Sequence, residues 1–177
     1  MKKIWHYLRF DWPIHFLIFF TNWLPDNVIF LRLRGMLLRP FFGSCGKDLR
    51  VGRNCVFYNP RLINLGSHIY IAFGGLIMAT TNVVVEDEVM FGPYCVVSTG
   101  NHTSVNGSFR FGSPIFSPIA IGKGSWVGSH VVITPGCEVG KNSLIAAGAV
   151  VTENIPSNVI AGGVPARIIK HLTEDQA

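Results

Sequence analysis

Of the six histidines in this 177-residue chain, one stands where a pattern stops. His102 closes the tetrapeptide Thr99-Gly100-Asn101-His102, and after it a strict six-residue beat of apolar residues is silent until Ile121. An unperturbed imidazole, with a pKa of about 6.5, is mostly neutral near pH 7 and can take a proton from a hydroxyl during attack on a carbonyl. His102 is therefore the candidate general base. His68 and His130 fall inside the beat, where a structural hydrogen bond is the commoner use of the residue.

Other chemistries find less support. The four cysteines, Cys45, Cys55, Cys95 and Cys137, form no C-x-x-C pair and stand beside no ligand-spaced histidine. Neither a zinc site nor a disulfide framework is indicated, and reduced, buried thiols are expected.

The beat itself specifies the scaffold. Ile121, Val127, Ile133, Val139, Ile145 and Val151 follow one another at intervals of six. The same interval links Val51, Phe57 and Ile63, then Leu65, Ile71, Ile77 and Val83, then Val85, Phe91 and Val97, with two-residue adjustments between the groups. A period of six matches neither an α-helix nor simple strand alternation. It predicts a parallel β-helix, in which three hexapeptides close one triangular coil and stacked coils bury the repeated aliphatics. Glycines that follow the aliphatic, as at 122, 128 and 140, are expected where the backbone turns tightly. Residues 103–120 have no place in the coil and should project from it as a loop beside His102, a natural place for substrate.

The front of the chain is different. Three of the four Trp (Trp5, Trp12, Trp23) and seven of the thirteen Phe lie within residues 1–42. Residues 1–61 carry +7 and the remainder −2, giving the net +5. The run Pro13–Leu24 is far shorter than the roughly 20 residues a bilayer span needs, and Pro25 ends it. A second segment begins at Asp26, an expected N-cap, and carries Arg32, Arg34 and Arg39 among aliphatics. Two short helices in a hairpin follow, suited to lying on an anionic membrane with indoles at the interface and guanidinium groups at the head groups. The alternative is that the hairpin packs on its own domain or on a partner subunit. The expected organisation is an N-terminal apolar and basic helical segment over 1–48, a β-helix domain over 49–164, and a C-terminal helix and tail over 165–177.

Residues 82–172, through "TGNH" and "IGKGSWVGSHVVITPGCEVGKNSLIAAGAVVTENIPSNVIAGGVPARIIK", resemble the hexapeptide-repeat acyltransferases. The likeness is strongest to sugar O-acetyltransferases of the galactoside, maltose and colanic acid types. With "LRLRGMLLRPFFGSCGKDLRVGRN" included, it covers about residues 26–172. The resemblance implies an all-β, left-handed parallel β-helix that forms a homotrimer with sites between subunits. It also implies acetyl-CoA as co-substrate, no metal, and His102 as catalytic base. By the same likeness Trp126, Gly128, Ser129, Ala146, Ala147 and Thr152 border the coenzyme. Arg167 and Lys170, three apart and so on one face of a short terminal helix, are expected at its phosphates.

The implied reaction is O-acetylation of a sugar hydroxyl on a surface polysaccharide or its lipid-linked precursor. The implied place is cytoplasmic, peripheral at the inner membrane face of a bacterium. No nucleic-acid partner is expected. A xenobiotic acetyltransferase of the streptogramin or chloramphenicol type is the alternative, but those relatives usually carry a longer loop after the histidine. Two departures from the family pattern matter. Ala72 stands where galactoside-type enzymes place an acceptor-binding asparagine, and Thr103 stands where colanic-type relatives often have aspartate. Glu86, Asp87 and Asn101 are the candidates for orienting the imidazole.

Overall fold

The computed structural model describes residues 4, 5 and 7–173. From Ser44 onward the chain winds as a left-handed parallel β-helix of three faces. The first face stacks Ser44–Cys45, Ile63–Leu65, Val83–Val85, Ile119–Ile121 and Glu138–Val139. The second runs from Arg50–Val51 through Tyr70–Ile71, Met90–Phe91, Trp126–Val127 and Leu144–Ile145 to Val159–Gly162. The third stacks Val56–Tyr58, Leu76–Met78, Val96–Ser98, Val132–Ile133 and Val150–Val151. The beat points inward: Ile121, Val127, Ile133, Val139, Ile145 and Val151 are all fully buried.

Register explains the two-residue adjustments. Val51 pairs with Ile71 and Ile71 with Phe91, so these coils take 20 residues, whereas Val127 to Ile145 takes 18. The extra pair widens the first face, where Ile63 and Leu65, and likewise Val83 and Val85, both point inward about an outward residue. The step from Phe91 to its partner Val127 is 36 residues and contains the projecting loop.

Corners recur at a fixed place in the repeat. Asp48, Asn54, His68, Glu88, Tyr94, His130 and Asn142 take φ between 51° and 63°, each three residues before an inward aliphatic or aromatic. His68 and His130 thus occupy left-handed corner positions, which histidine tolerates better than most residues. The glycine after each aliphatic has a different cause from the expected tight turn. A Cβ on Gly122 would lie 2.6 Å from the backbone nitrogen of Lys141, and one on Gly92 equally close to that of Ser129. Close approach of the next coil, and not backbone angle, selects glycine there.

The hairpin forms as expected and packs on the solenoid. Helix α1, Trp12–Thr21, has Pro13 in its first turn, and α2 spans Val28–Leu38. The N-cap of α2 is Asn27, whose Oδ1 accepts from Phe30 N at 3.1 Å, and not Asp26. Asp26 instead accepts from Arg34, which is 1% exposed. The Arg34 guanidinium donates to Asp26 Oδ1 at 2.7 Å, Leu24 O at 2.6 Å and Val51 O at 3.0 Å, tying both helices to the first coil. Leu31, Arg34, Gly35 and Leu38 form the buried stripe of α2. It sits so close that a Cβ on Gly35 would collide with the Leu49 carbonyl.

The expected head-group role of the three arginines is therefore corrected for Arg34, which is sealed inside. Arg32 donates to Asp48 at 2.8 Å, and Arg39 to the Cys45 carbonyl at 3.1 Å. Hydrogen bonds from Arg50 first, and then Arg32, hold the Asp48 carboxyl well below the usual carboxylate range. Because the folded-state pKa is depressed, this tie is complete above the ordinary aspartate pKa and is lost only as pH falls through the lowered value.

Among the described residues the expected C-terminal helix is not formed. Arg167–His171 is a strand that folds back antiparallel on Val159–Gly162. The two residues still share a face, for another reason. Arg167 registers with Gly162 and Lys170 with Ile160, and a bulge between them restores the alternation. Lys2, Lys3 and the tail from residue 174 lie outside the described residues.

Candidate active site

His102 stands at the end of a short strand, Gly100–His102, that leaves the coil where the third face ends. Its anchor is Thr99, fully buried, whose Oγ1 accepts from Thr80 N at 2.8 Å and Thr81 N at 3.2 Å. Gly100–His102 pairs antiparallel with Pro114–Phe116, with His102 opposite Pro114. Thr103 continues the arm by donating from Oγ1 to Ser113 O at 2.7 Å, and the tip turns at Asn106-Gly107 between Val105 and Ser108. The projection is thus an ordered two-stranded arm beginning at Gly100, and the coil resumes at Ile119, two residues before the beat does. Phe109 and Phe111 stand exposed near its tip. Thr99 carries no periodicity signal; only its place in "TGNH" pointed to it.

The expected orienting groups have other work. Asn101 Oδ1 accepts from the His102 backbone nitrogen at 2.9 Å. Glu86 Oε2 accepts from Lys123 N at 2.9 Å, and Asp87 Oδ1 from Ser67 N at 2.6 Å. These carboxylates stitch one coil to the next at the corner after the first face, and no hydrogen bond joins any of the three side chains to the His102 imidazole in the single chain.

The residues expected at the coenzyme separate into two groups. Trp126 registers with Leu144 and Val127 with Ile145, so the following residues, Gly128 and Ser129, lie over Ala146 and Ala147. Trp126 faces outward, half exposed, beside this run of small residues at the corner between the second and third faces. A Cβ on Gly128 would meet the Ile145 carbonyl at 2.6 Å, so the backbone is bare there by necessity. Thr152, by contrast, follows Val151 at the far end of the third face, on the corner from which His102 departs. Arg167 reaches that side too, pairing with Glu153 at 3.3 Å. Lys170 is exposed on the terminal strand.

One chain therefore carries a histidine on one corner and a small-residue groove on another. Ser129 precedes and Thr134 follows the strand Val132–Ile133, so the groove and the histidine's corner lie at opposite ends of the third face. Within one chain the third face stands between the two halves.

The thiols are inert packing. Cys55, Cys95 and Cys137 are buried, and burial pushes the Cys55 thiol up to about 12 and that of Cys95 to about 11. Among the described residues no cluster of three or more metal-ligating side chains occurs.

A parallel β-helix with a histidine-bearing arm and a bare corner groove defines a class of group-transfer scaffold, and the comparisons place the chain within it. Residues 118–153 match the family model "Bacterial transferase hexapeptide (six repeats)". The chain is 36% identical to the galactoside O-acetyltransferase of Escherichia coli (strain K12) over 142 residues, 80% of this chain and 70% of that one. It is 32% identical over 175 aligned positions to WbbJ of the same organism, which carries the name of a lipopolysaccharide biosynthesis O-acetyl transferase, covering 80% and 87% of the two chains. Among solved structures, a galactoside acetyltransferase in complex with coenzyme A superposes with a TM-score of 0.81 at 32% identity, over 92% of this chain and 80% of that one. The chain belongs to the hexapeptide-repeat acetyltransferases, and it is an acyltransferase.

Proposed function

We propose that the protein transfers acetyl from acetyl-CoA to a sugar hydroxyl of a surface polysaccharide or its lipid-linked precursor, with His102 as general base. One observation carries this reading: His102 is held exposed on a stiff arm at one corner, while Trp126 and the bare groove of Gly128, Ser129, Ala146 and Ala147 lie at another. Two copies bring the halves together, and a closed threefold ring repeats the arrangement three times, giving a homotrimer with a site at each junction.

In that junction the imidazole takes the hydroxyl proton as the sugar oxygen attacks the thioester carbonyl. The tetrahedral oxyanion is met by backbone N–H groups of the corner turns, fixed before reaction and so effective at low reorganisation cost. Collapse expels the CoA thiolate, to which the imidazolium returns the proton. The small residues let the amide-bearing pantetheine arm approach the backbone, and Arg167 and Lys170 hold the phosphates, Arg167 exchanging Glu153 for them. The related galactoside enzyme and the lipopolysaccharide-named relative support a sugar acceptor.

The test is thiol release from acetyl-CoA with a panel of sugars, nucleotide sugars and lipid-linked oligosaccharides. His102→Ala should lower turnover about 10²- to 10⁴-fold with the trimer and CoA binding retained. Unchanged turnover would remove His102 from the mechanism, and no turnover with any sugar would remove the acceptor class.

A further inference from the structure

Helix α1 presents a surface that the fold leaves uncovered. Its ten residues, "WPIHFLIFFT", contain no Asp, Glu, Lys or Arg, and only Ile14 and Thr21 are buried. Trp12, Phe16, Phe19 and Phe20 stand 45–65% exposed, with Trp5 and Trp23 at 71% and 78% on either side. A helix apolar on all sides belongs in a protein core or in lipid. At ten residues it is about 15 Å long, and among the described residues no helix is long and apolar enough to cross a membrane. Lying in the plane of the interface is the arrangement that remains for lipid contact.

Charge and shape select lipid over a second copy. The exposed Arg9 and Arg61 both lie against Phe10, at 5.6 Å and 5.0 Å from its ring centre, with Arg61 also donating to the Phe42 carbonyl at 3.0 Å, so two positive charges flank the aromatic helix. Indole and phenol groups at Trp5, Tyr7, Trp12 and Trp23 match the composition of an interfacial belt. Between α1 and the first strand of the third face runs a mostly apolar groove of about 950 Å³, walled by Trp12, Phe16 and Phe19 on one side and Val56 and Tyr58 on the other.

One wall of this groove is the first strand of the face that leads to the histidine. Tyr58 registers with Met78 and Met78 with Ser98, so two ladder steps, about 10 Å, separate the groove wall from the strand that leads to His102. Tyr58 and Met78 are partly exposed along the way.

We infer that the hairpin docks in the plane of an anionic bilayer and seats one hydrocarbon chain of a lipid in this groove, with the head group directed along the third face toward His102. Resting on the acetyl-transfer reading above, this narrows the acceptor to a lipid-linked sugar.

The experiment is co-sedimentation of the full-length protein with vesicles of phosphatidylcholine alone or with phosphatidylglycerol added. The protein should pellet with the anionic vesicles. Phe16→Glu with Phe19→Glu should weaken that binding about tenfold or more. Arg9→Glu with Arg61→Glu should do so by a similar factor on anionic vesicles, with no loss on neutral ones. In a chain retaining Trp12 as its single indole (Trp5→Phe, Trp23→Phe, Trp126→Phe), lipids brominated on the acyl chain should quench its fluorescence. Failure to pellet, or absence of quenching, overturns the inference. So does a lipid-free protein whose sedimentation velocity drops with Phe16→Glu and Phe19→Glu, because the face then joins copies. Vesicle binding without acetyl transfer to any sugar would leave the docking standing and sink the enzymatic reading, whereas transfer to soluble sugars without vesicle binding would do the reverse.

Discussion

The hairpin and the solenoid differ in what they add to a buried aliphatic core and in what they leave outside. In the solenoid every sixth residue is an aliphatic or aromatic turned inward, and polar groups face out or stitch corners. In the hairpin an arginine is sealed inside while tryptophans and phenylalanines face outward. The difference teaches what holds each part: the solenoid is held by repeated apolar contact, and the hairpin adds to the buried Ile14, Leu31 and Leu38 a sealed polar knot at Arg34.

Substitutions can break that contrast, and the largest effect belongs to the knot. Arg34→Ala leaves the Leu24 and Val51 carbonyls without their guanidinium donor and Asp26 with Arg53 alone, and should cost about 3–5 kcal/mol. Urea unfolding measures the loss. Amide exchange should rise first in α1 and α2, and uniform loosening of all coils would show that the knot is not local. A smaller change tests the other mode. Ile133→Val removes one buried methylene from a fully buried position and should cost about 1 kcal/mol in the same assay. Smallest of all, Trp12→Ser should change stability by less than about 0.5 kcal/mol despite deleting the largest side chain type, because that ring is 56% exposed. A larger drop would mean that α1 is held by its outer face after all.

The same contrast decides what could be read from the sequence. Position in a six-residue repeat fixes which way a side chain points, so Ile121 through Val151 announced both the fold and its core. His102 was legible because it broke the repeat. The residues expected at the coenzyme could be named from the sequence but not placed, since assigning Thr152 to the histidine's corner requires knowing which face each hexapeptide occupies. Asn27 displaced Asp26 as cap because Asp26 had a stronger partner 8 residues on, at Arg34. That pairing spans a turn and a helix and leaves no local pattern. The terminal strand was missed because Arg167 and Lys170 are spaced as on a helix, and only the bulge, a feature of pairing, lets a strand achieve the same alignment. The backbone bonds of Glu86, Asp87 and Asn101 were not legible either, since a carboxylate or amide oxygen that accepts from a backbone N–H is the same group that could accept from an imidazole.

The antiparallel return of Arg167–His171 matters beyond the site. A stack of parallel coils has no inherent length, and its last rung offers unpaired backbone to any strand that arrives, including the first rung of another molecule. Here that rung is taken by a strand running the opposite way, whose own side chains include Arg167, Lys170 and His171. At the other extremity α2 presses on Leu49 and Val51. The second face is thereby closed at both extremities and offers no parallel rung for another coil to extend.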